Sequence, residues 1–352
     1  MNIVITHTNL TRGGGAETYL LNLVQGFCAA GDRVHLVLTK RDHSLSLPPE
    51  CTVEMVRAWW VPQKLRPWFL DRQFAKRIEA KPDWASVSLS RNRGHDVAIC
   101  GGTHRGFLRA MQRELSLGDR LQIAVEQRSY ATAGRVLAHS QLVADEIRKD
   151  YQISEDKISV VYPAVDRMRF RAELRAQRAQ WRTRWKLPAD KTLVLFPSTG
   201  HERKGLPLVI EAMRRLPVDR YALVVVGRTA PKIADGLEVI SLGFVDAIEQ
   251  VFAACDLTVM PSHYEPFGLV YVESALCGTP VIFGENAGAA EVLPPPMGIK
   301  LTRRSPELLA ELIVKSVGQI ACGDAEEIAV PTMHEHVAAF KRVLELARQS
   351  RR

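Results

Sequence analysis

Short runs of β-branched and apolar residues alternate with helical patterns along the chain, in two successive series. The first series predicts strands over NIVITH (2–7), RVHLVLT (33–39), DVAIC (96–100), RVLAHS (135–140) and KISVVYPAVD (157–166), with a helix over 16–30. Strands that alternate with helices favour a parallel sheet covered by helices on both faces. The first half therefore predicts a doubly wound α/β domain.

A second series begins after the basic segment RMRFRAELRAQRAQWRTRWK (167–186), which we interpret as a solvated helix between two domains. It predicts strands over 192–198, 221–227, 239–245, 257–261 and 279–284, and helices over 205–216, 247–254 and 268–277. A chain of 352 residues also exceeds what one hydrophobic core usually serves. We expect domains over 1–166 and 191–332, a linker over 167–190, and a final helix over 333–352 that packs back on the first domain.

Cysteine usage and hydropathy exclude several classes of protein. The six cysteines, at 28, 51, 100, 255, 277 and 322, form no C-x-x-C pair, which is typical of the reducing cytoplasm and argues against structural zinc. The N-terminus lacks the pattern of a signal peptide. No apolar run approaches the roughly 20 residues that a membrane-spanning helix needs. We expect a cytoplasmic protein that meets a membrane only as a peripheral protein on its inner face.

The positive charge is concentrated in one part of the chain. Residues 57–135 carry 15 basic and 7 acidic side chains, which accounts for the whole net charge of +8. Within this part, 59–80 interleaves aromatic with basic side chains: Trp59, Trp60, Trp68, Phe69 and Phe74 with Lys64, Arg66, Arg72, Lys76 and Arg77. Such a mixture suits an anionic membrane surface, although a solvated helix with a packed aromatic face gives the same pattern. Nucleic acid is disfavoured because no recognition module accompanies the charge.

Two glutamates stand among residues that otherwise look like protein core, in HYEPFGLVYVESALCGTPVI (263–282). The stretch follows a predicted strand, and ligands of doubly wound sheets bind beyond the carboxyl ends of strands. Leu269, Glu273 and Leu276 share one helical stripe, which predicts that Glu273 faces the core. A carboxylate there costs several kcal/mol unless it is hydrogen-bonded. Paired ribose hydroxyls would satisfy it, and a buried arginine is the alternative.

The loop before this helix has the features of an anion site. Pro266 keeps Glu265 out of helical geometry, and the helix is predicted to begin near Phe267 or Gly268. Gly268 allows a ligand to approach the backbone, and the free amides around Gly268 and Leu269 would favour a diphosphate. Glu265 alone could merely complement the helix dipole.

Basic and glycine-rich loops follow two other predicted strands. In STGHERKG (198–205), Arg203 and Lys204 can neutralise phosphate charge at the same sheet edge. Residues 13–15 form a glycine triplet after the first strand, where helix amides could face a phosphate or an acceptor. A tight turn is the alternative for this triplet.

Histidines also follow strands of the first domain. In CGGTHRGFL (100–108), His104 is a candidate sugar-contacting or catalytic residue, and the alternative is a loop histidine without chemistry. His7 and His139 are reserve candidates. The sequence contains no D-x-D, which disfavours a magnesium-chelating donor site and leaves cations and helix amides to stabilise a leaving diphosphate.

The stretch E-P-F-G-L-V-Y-V-E, followed by A-L-C-G-T-P-V-I, resembles the E-x7-E signature of family 4 retaining glycosyltransferases. Further stretches resemble the same family, and together they cover nearly the whole chain: 13–38, 138–147, VVYPAVD (160–166) and GENAGAAEVL (284–293). The resemblance implies the GT-B fold, in which two Rossmann-like doubly wound α/β domains face a central cleft. It also implies a metal-independent hexosyltransferase that needs no cofactor and uses a nucleotide-diphosphate sugar as substrate.

The resemblance assigns roles by position. Glu273 would bind the donor ribose and Glu265 would contact the transferred sugar at the reacting centre. Arg203 and Lys204 would hold the diphosphate, with the amides around Gly268 and Leu269 assisting. The other donor-binding candidates are Phe267, Gly14 and Gly15. Many family members carry an arginine where this chain has Ser198, and the adjacent Arg203 and Lys204 resemble the arrangement of lipopolysaccharide core glucosyltransferases.

The acceptor and the class of enzyme leave alternatives open. The basic aromatic segment favours a membrane glycolipid, such as growing lipopolysaccharide core, over another saccharide acceptor. A nucleotide-sugar 2-epimerase shares the fold but lacks this E-x7-E arrangement. A nucleotide-sugar binding subunit without turnover is the non-enzyme alternative.

Overall fold

The structure is a computed structural model that describes residues 1–11, 15–63, 65–231, 236–319 and 327–350. The chain divides into two compact units, Met1–Ala164 with Pro331–Arg352, and Val165–Val330. In the described residues, each unit contains one main parallel sheet with helices along it. The α/β class predicted from the sequence is thus observed in both halves.

The first unit contains a seven-stranded sheet within the described part of the chain. Its strands and those of a small two-stranded sheet are β1 (Asn2–Thr6), β2 (Asn9–Leu10), β3 (Arg33–Leu38), β4 (Lys40–Arg41), β5 (Cys51–Met55), β6 (Ala85–Ser88), β7 (Val97–Cys100), β8 (Arg135–Ala138) and β9 (Ile158–Val160). Its helices are α1 (Gly15–Ala29), α2 (Arg66–Glu79), α3 (His104–Ala110), α4 (Leu117–Thr132) and α5 (Gln141–Tyr151), joined by the C-terminal helix α12 (Met333–Gln349).

The second unit contains a six-stranded sheet within its described residues. The strands are β10 (Thr192–Ser198), β11 (Tyr221–Gly227), β12 (Val239–Gly243), β13 (Leu257–Met260), β14 (Val281–Phe283) and β15 (Gly298–Lys300). The helices are α6 (Arg178–Arg184), α7 (His201–Lys204), α8 (Leu206–Met213), α9 (Ile248–Ala254), α10 (Leu269–Leu276) and α11 (Pro306–Gln319).

Both main sheets reverse their strand order beside the first strand. The order is β5-β3-β1-β6-β7-β8-β9 in the first unit and β12-β11-β10-β13-β14-β15 in the second. In the second unit, β10 pairs on one side with β11 and on the other with β13, where Val194 is opposite Leu257. In doubly wound sheets, ligands bind at the carboxyl ends of the strands where the order reverses. This places the expected ligand site of the second unit at the loops after β10 and β13.

Burial explains which strands the sequence predicts. Every residue of β11 is buried, and parallel strands covered on both faces read as continuous apolar runs. Strand β6 escapes prediction because Ser86 and Ser88 interrupt its pattern, although all four of its residues are buried. Ser86 satisfies its hydroxyl group against Asp96, whose backbone N–H donates to Ser86 Oγ at 2.8 Å. A polar pair inside the sheet therefore replaces the apolar signal.

The C-terminal helix α12 completes the core of the first unit. Its residues Phe340 and Leu344 are fully buried in the cluster that contains α1 and the sheet. Phe340 packs edge to face on Phe27 with ring centroids 5.4 Å apart. A Cβ atom on Gly26 would lie 2.8 Å from Met333 Sδ, so the two helices approach closely at this glycine. Sequence-distant segments thus share one hydrophobic core.

The basic segment 167–190 does not form a solvated linker, because the structure places it inside the second unit. Trp181 and Arg182 of α6 are buried. Arg182 Nε donates to the carbonyl of Ala254 at 2.9 Å and Arg182 Nη2 to Asp256 Oδ2 at 2.8 Å. Arg178 also pairs with Asp256. The basic side chains find acceptors on α9 and β13, so charge alone misleads the prediction here.

The basic aromatic segment 59–80 combines a buried and an exposed part. Phe74 of α2 is buried in a cluster with Val4 and Val37, as a packed helix requires. The side chains of Trp59, Trp60 and Trp68 are 80%, 60% and 52% exposed. Lys64 lies outside the described residues. None of the described helices combines the length and the hydropathy that crossing a bilayer requires.

Replacing Arg182 by leucine is expected to destabilise the protein by about 3–5 kcal/mol, because a buried cation that satisfies Asp256 and several carbonyls is lost. Arg184 lies on the same helix and is exposed, so Arg184→Leu is the matched control and is expected to cost less than about 1 kcal/mol. Urea unfolding measures both changes. Equal losses in the two variants would contradict the buried position of Arg182.

Candidate active site

The candidate site lies on the loops that follow β10 and β13, at the strand-order reversal of the second unit. The first loop runs into α7 and carries Arg203 and Lys204. The second runs from β13 to α10 and carries Glu265 and Gly268. The backbone N–H of His263 donates to the carbonyl of Arg203 at 2.9 Å, which joins the two loops directly. The fold therefore brings together residues that are about 60 positions apart in the sequence.

Gly205 fixes the end of the first loop. It has a φ of +87°, and a Cβ atom at this position would lie 2.6 Å from the carbonyl oxygen of Pro261. Only glycine fits this conformation and this approach without strain. Ser198 is buried, and its hydroxyl accepts from the Gly200 N–H at 3.1 Å. Position 198, where many family members have arginine, therefore builds the turn in this chain.

Arg203 and Lys204 differ in whether the protein provides acceptors for their hydrogen-bond donors. Arg203 Nη1 donates to the carbonyl of Tyr264 at 2.6 Å and to Glu265 Oε2 at 3.1 Å. Within the described ranges, no hydrogen bond joins the Lys204 ammonium to another group. Burial lowers the pKa of Lys204, and the Glu265 carboxylate acts in the opposite direction. A half-buried ammonium without a hydrogen-bonded partner is suited to an anionic ligand.

Glu265 is oriented by the residues around it. Its carboxylate pairs with Arg203 at 3.1 Å, with side chains 16% and 34% exposed. Ser262 Oγ donates to the same carboxylate at 3.4 Å. The Glu265 backbone N–H donates to the carbonyl of Asn286 at 2.9 Å, so the loop after β14 supports this position. Glu265 is thus held at the surface of the site by three separate contacts.

Gly268 opens helix α10 in a conformation that favours glycine. Its φ is +93°, and a Cβ atom would lie 2.5 Å from the ring of Tyr271. Within the described residues, no carbonyl accepts from the amides of Gly268 and Leu269. The first turn of a helix offers such amides to anions. Phe267 is buried, and its carbonyl accepts from Ala289, so it positions the loop.

Glu273 lies at the edge of the core rather than at its centre. Helix α10 buries residues 271, 272 and 274–276, whereas Leu269 and Glu273 lie half-buried on the remaining face. Among the described residues, no hydrogen bond or ion pair reaches the Glu273 carboxylate. Burial raises its pKa to about 7, and the charges of Arg169 and Lys204 oppose this rise. A desolvated carboxylate without a hydrogen bond, near the half-buried Lys204 ammonium, predicts a ligand with donor groups.

The N-terminal candidates lie in a separate unit and have local partners of their own. His104 is the first residue of α3, and His104 Nε2 pairs with Asp119 Oδ1 at 2.7 Å. Hydrogen bonds from Ser116 and then from His104 lower the pKa of Asp119 to about 2. Gly15 is the first residue of α1 and is exposed, and a Cβ atom there would meet nothing within 4 Å. Gly14 lies outside the described residues.

The reserve histidines have different surroundings. His7 follows β1 at the strand-order reversal of the first sheet, and its Nδ1 bonds to Ser90 Oγ at 2.9 Å. His139 is buried, and its Nε2 has no hydrogen-bond partner in the part of the chain that the structure describes. Burial lowers the pKa of His139 to about 3, so its ring is neutral.

Comparison with known proteins identifies the family. Residues 13–169 match the family model described as Glycosyltransferase Family 4, and residues 177–316 match the one described as Glycosyl transferases group 1. A Burkholderia thailandensis protein named "Probable transglycosylase" is 40% identical over 298 residues, which span 84% of this chain and 80% of that protein. The chain belongs to the group 1 glycosyltransferases. A Methanocaldococcus jannaschii protein named "Uncharacterized glycosyltransferase" is similar to this glycosyltransferase at 25% identity, over 84% of this chain and 83% of its own length.

Solved structures are similar to this glycosyltransferase over its whole length. WaaG, a glycosyltransferase involved in lipopolysaccharide biosynthesis, matches with a TM-score of 0.78 and 17% identity, over 99% of this chain and 98% of that one. HepE of Anabaena in complex with UDP-glucose matches with a TM-score of 0.68 and 20% identity, over 100% of this chain and 98% of that one. The predicted GT-B class and the predicted family are confirmed.

Two residues that support this site, Tyr271 and Arg169, were not identified from the sequence. Tyr271, inside the E-x7-E motif, donates from its hydroxyl to the carbonyl of Met260 at 2.9 Å and thereby fixes α10 against β13. The tyrosine in the motif is the signal that could have indicated this role. Arg169, whose charge opposes the rise in the pKa of Glu273, lies within the segment 167–190 that the sequence predicts as a solvated linker. No pattern around Arg169 indicates its position.

Replacing Glu273 by glutamine removes the charge and keeps the shape of the side chain. The folded pKa is about 7 and the ordinary value is 4.5, so between these values the folded protein binds a proton that the unfolded chain has lost. The stability of the wild type relative to Glu273→Gln is therefore highest below the lower value and falls as pH rises through both. The fall is expected to reach at most about 3 kcal/mol, because partial exposure screens the charge.

Urea unfolding at about pH 5 and about pH 8 measures this difference. Glu345→Gln is the matched control, since Glu345 is exposed on α12. A difference between wild type and Glu273→Gln that stays constant with pH would show that this carboxylate is not desolvated.

Proposed function

We propose that this glycosyltransferase moves a sugar from a nucleotide-diphosphate sugar to an acceptor hydroxyl, with retention of the anomeric configuration. The observation that carries the proposal is the desolvated Glu273 carboxylate, which no hydrogen bond from the described residues reaches. It lies close enough to the half-buried Lys204 ammonium for each to influence the charge of the other. Both lie at the strand-order reversal where doubly wound sheets bind nucleotides.

Glu273 is assigned to the donor ribose. Two neighbouring ribose hydroxyls can donate to the two oxygens of one carboxylate, and hydrogen bonds to an ionised acceptor are the stronger kind. These bonds favour the charged form, so donor binding offsets the desolvation that raises the pKa of Glu273 to about 7. Donor affinity is expected to weaken as pH falls below that value.

The leaving diphosphate is assigned to the cations and amides of the same edge. Lys204 supplies an unbonded charge, and Arg203 retains N–H groups beyond those bonded to Tyr264 and Glu265. The amides of Gly268 and Leu269 add donors at the start of α10. These groups act where negative charge grows as the bond to the sugar breaks, which is where electrostatic stabilisation accelerates a reaction.

The reaction exchanges one bond at the anomeric carbon for another. The bond from this carbon to the diphosphate oxygen breaks, and a bond to the acceptor oxygen forms on the same face. The acceptor proton passes to the departing diphosphate, so no redox partner is needed. Glu265, held by Arg203 at 3.1 Å, is assigned to the transferred sugar. Among the described residues, no group of three or more His, Cys, Asp or Glu side chains is placed to hold a metal ion, and we propose a metal-independent reaction.

His104 remains the proposed catalytic histidine of the first unit. Asp119 at 2.7 Å orients its ring and would stabilise a positive charge on it. We propose that Gly14 and Gly15 contact the donor phosphates.

Two comparisons support a nucleotide-sugar donor and a glycolipid acceptor. HepE of Anabaena was solved with UDP-glucose, and WaaG takes part in lipopolysaccharide biosynthesis. The exposed Trp59, Trp60 and Trp68 beside basic side chains further support a membrane-held acceptor. The proposed location is therefore the cytoplasmic face of the cell membrane, with an anionic glycolipid such as lipopolysaccharide core as acceptor.

A panel of nucleotide sugars tests the donor site. A bound donor is expected to raise the melting temperature of the wild type with donor concentration. Glu273→Gln and Lys204→Gln are each expected to weaken donor binding at least about tenfold, since each removes a charged hydrogen-bond partner. Glu345→Gln and Lys149→Gln, which change exposed residues of the first unit, should bind the donor as the wild type does.

Slow hydrolysis of the bound donor, or its transfer to an acceptor, then measures turnover. Glu265→Gln is expected to lower turnover more than donor binding. A donor that binds and is never turned over would identify a binding subunit instead, and epimerisation of the sugar without transfer would identify a 2-epimerase.

Binding to vesicles tests the membrane proposal. Trp59→Ser with Trp60→Ser removes the two most exposed of these tryptophans and is expected to weaken binding to phosphatidylglycerol vesicles at least about tenfold. The double variant Met168→Ser with Val218→Ser removes exposed apolar side chains of the second unit and is the control. Equal binding by both variants would contradict a role of the tryptophans at the membrane.

A further inference from the structure

An open pocket of the first unit contains three arginines and lies outside the donor site described above. Its empty space, open solvent included, is about 310 Å³. Trp68 and Asp71 of α2, Arg91 and Arg93 of the loop after β6, and Arg128 of α4 line it. Strand β6 pairs with β1 where the strand order of the first sheet reverses. The pocket therefore borders the loop position at which a doubly wound sheet presents ligand-binding residues.

Two carboxylates pair with the cations of this pocket. Arg91 Nε pairs with Glu126 at 2.9 Å, and the Glu126 side chain is 0% exposed. Arg93 Nε and Arg128 Nη1 share Asp71, at 3.2 Å and 3.8 Å, and Asp71 is 14% exposed. The three arginine side chains remain 37–38% exposed. The cluster thus carries one positive charge in excess of its two carboxylates, and part of each arginine side chain stays accessible.

The arginines are held in place and keep donors in reserve. Asp71 Oδ1 accepts from the backbone N–H of Arg93 at 2.9 Å. Arg91 has a left-handed φ of +60°, and its side chain pairs with Glu126. Within the described residues, the Nη groups of Arg93 make no hydrogen bond. A guanidinium has five N–H donors in a planar fork that matches phosphate oxygens. Fixed guanidinium groups with unused donors require little reorganisation when an anion binds.

The wall of the pocket adds an apolar surface. The Arg128 guanidinium lies 5.6 Å from the centroid of the Trp68 ring, which is 52% exposed. Residues 124 and 125 of α4 contribute small apolar side chains next to it. A ring of C–H groups, as on one face of a sugar, can pack on such a surface while its phosphate meets the arginines. Pockets of this kind combine apolar walls with a few convergent polar groups.

We propose that this pocket binds a phosphate monoester carried by the acceptor, on a sugar residue or on a lipid headgroup. The proposal rests on the glycosyl-transfer function and adds to it an anionic acceptor that the first unit recognises through Arg91, Arg93 and Arg128. In this proposal, Trp68 packs on the sugar or headgroup that bears the phosphate. Both sources of the monoester present the same dianionic group to the same arginines.

Isothermal titration with glucose 6-phosphate, with glucose as the uncharged comparison, tests the binding. The titrations use the full chain with Arg203→Gln and Lys204→Gln, so that the donor site does not capture the phosphate. Adding Arg93→Gln and Arg128→Gln is expected to weaken glucose 6-phosphate binding at least about tenfold. Arg72→Gln with Arg120→Gln removes two exposed arginines of α2 and α4 and is the control. The single variant Arg128→Gln, which disturbs only a 3.8 Å ion pair and the Trp68 contact, is expected to weaken binding severalfold without loss of folding.

Equal affinity for glucose 6-phosphate in the pocket variant and the control would overturn the proposal, as would equal affinity for glucose and its phosphate. Phosphatidylcholine vesicles with and without phosphatidic acid distinguish the source. If the pocket variant no longer binds either phosphatidic acid vesicles or the sugar phosphate, the site accepts a monoester on a lipid headgroup. If it loses binding of the sugar phosphate alone, the monoester is carried by a saccharide.

Donor hydrolysis separates this proposal from the proposed function. Arg93→Gln with Arg128→Gln, placed in the otherwise unchanged chain, is expected to hydrolyse the donor at the wild-type rate. Wild-type protein that hydrolyses and transfers no nucleotide sugar would contradict the proposed function, while the titrations would still decide whether the pocket binds phosphate.

Discussion

Desolvation of one carboxylate distinguishes the strand-order reversal of the second unit. Glu273 lies half-buried on α10 without a hydrogen bond from the described residues, and burial raises its pKa to about 7, so the fold disfavours its charged form. Helix α10 can hold it in this position because Gly268 turns the chain and Tyr271 anchors the helix on β13. The nearby Lys204 is half-buried as well, and among the described residues neither of these two opposite charges has a hydrogen-bond partner. Stability is thereby lower than an apolar pair would give, as is common at sites that bind ligands.

The order of the strands brings the residues of the candidate site together. Arg203 and Glu265 meet at 3.1 Å because β10 and β13 are neighbours, although α8, β11, β12 and α9 lie between them in the sequence. The contact between His263 and the Arg203 carbonyl repeats the connection through the backbone. The first sheet has the same order with β9 added at its edge, and the loop after its fourth main strand, β6, carries Arg91 and Arg93, where the second unit carries Glu265. One topology therefore supplies each unit with a polar loop pair at the same relative position.

The sequence predicts the parts of this architecture that have a strong local signal. Buried strands such as β10 and β11 are predicted with their observed bounds, because every residue or nearly every residue is apolar. Glu265, Gly268 and Glu273 are found by their spacing and by the proline and glycine around them. Strand β6 is missed because serines pair with Asp96, and 167–190 is misjudged because its arginines are satisfied by carbonyls distant in the sequence. Long-range partners of polar residues leave no trace in local composition.

The position of α12 has a consequence for how the chain is made. Phe340 and Leu344 belong to the core of the first unit, whose other part ends at Ala164. The ribosome therefore synthesises the second unit before that core is complete. Domains of most proteins fold in order from the N-terminus during synthesis. Here the earlier half must wait, with apolar surface on α1 uncovered, until the last helix has left the exit tunnel.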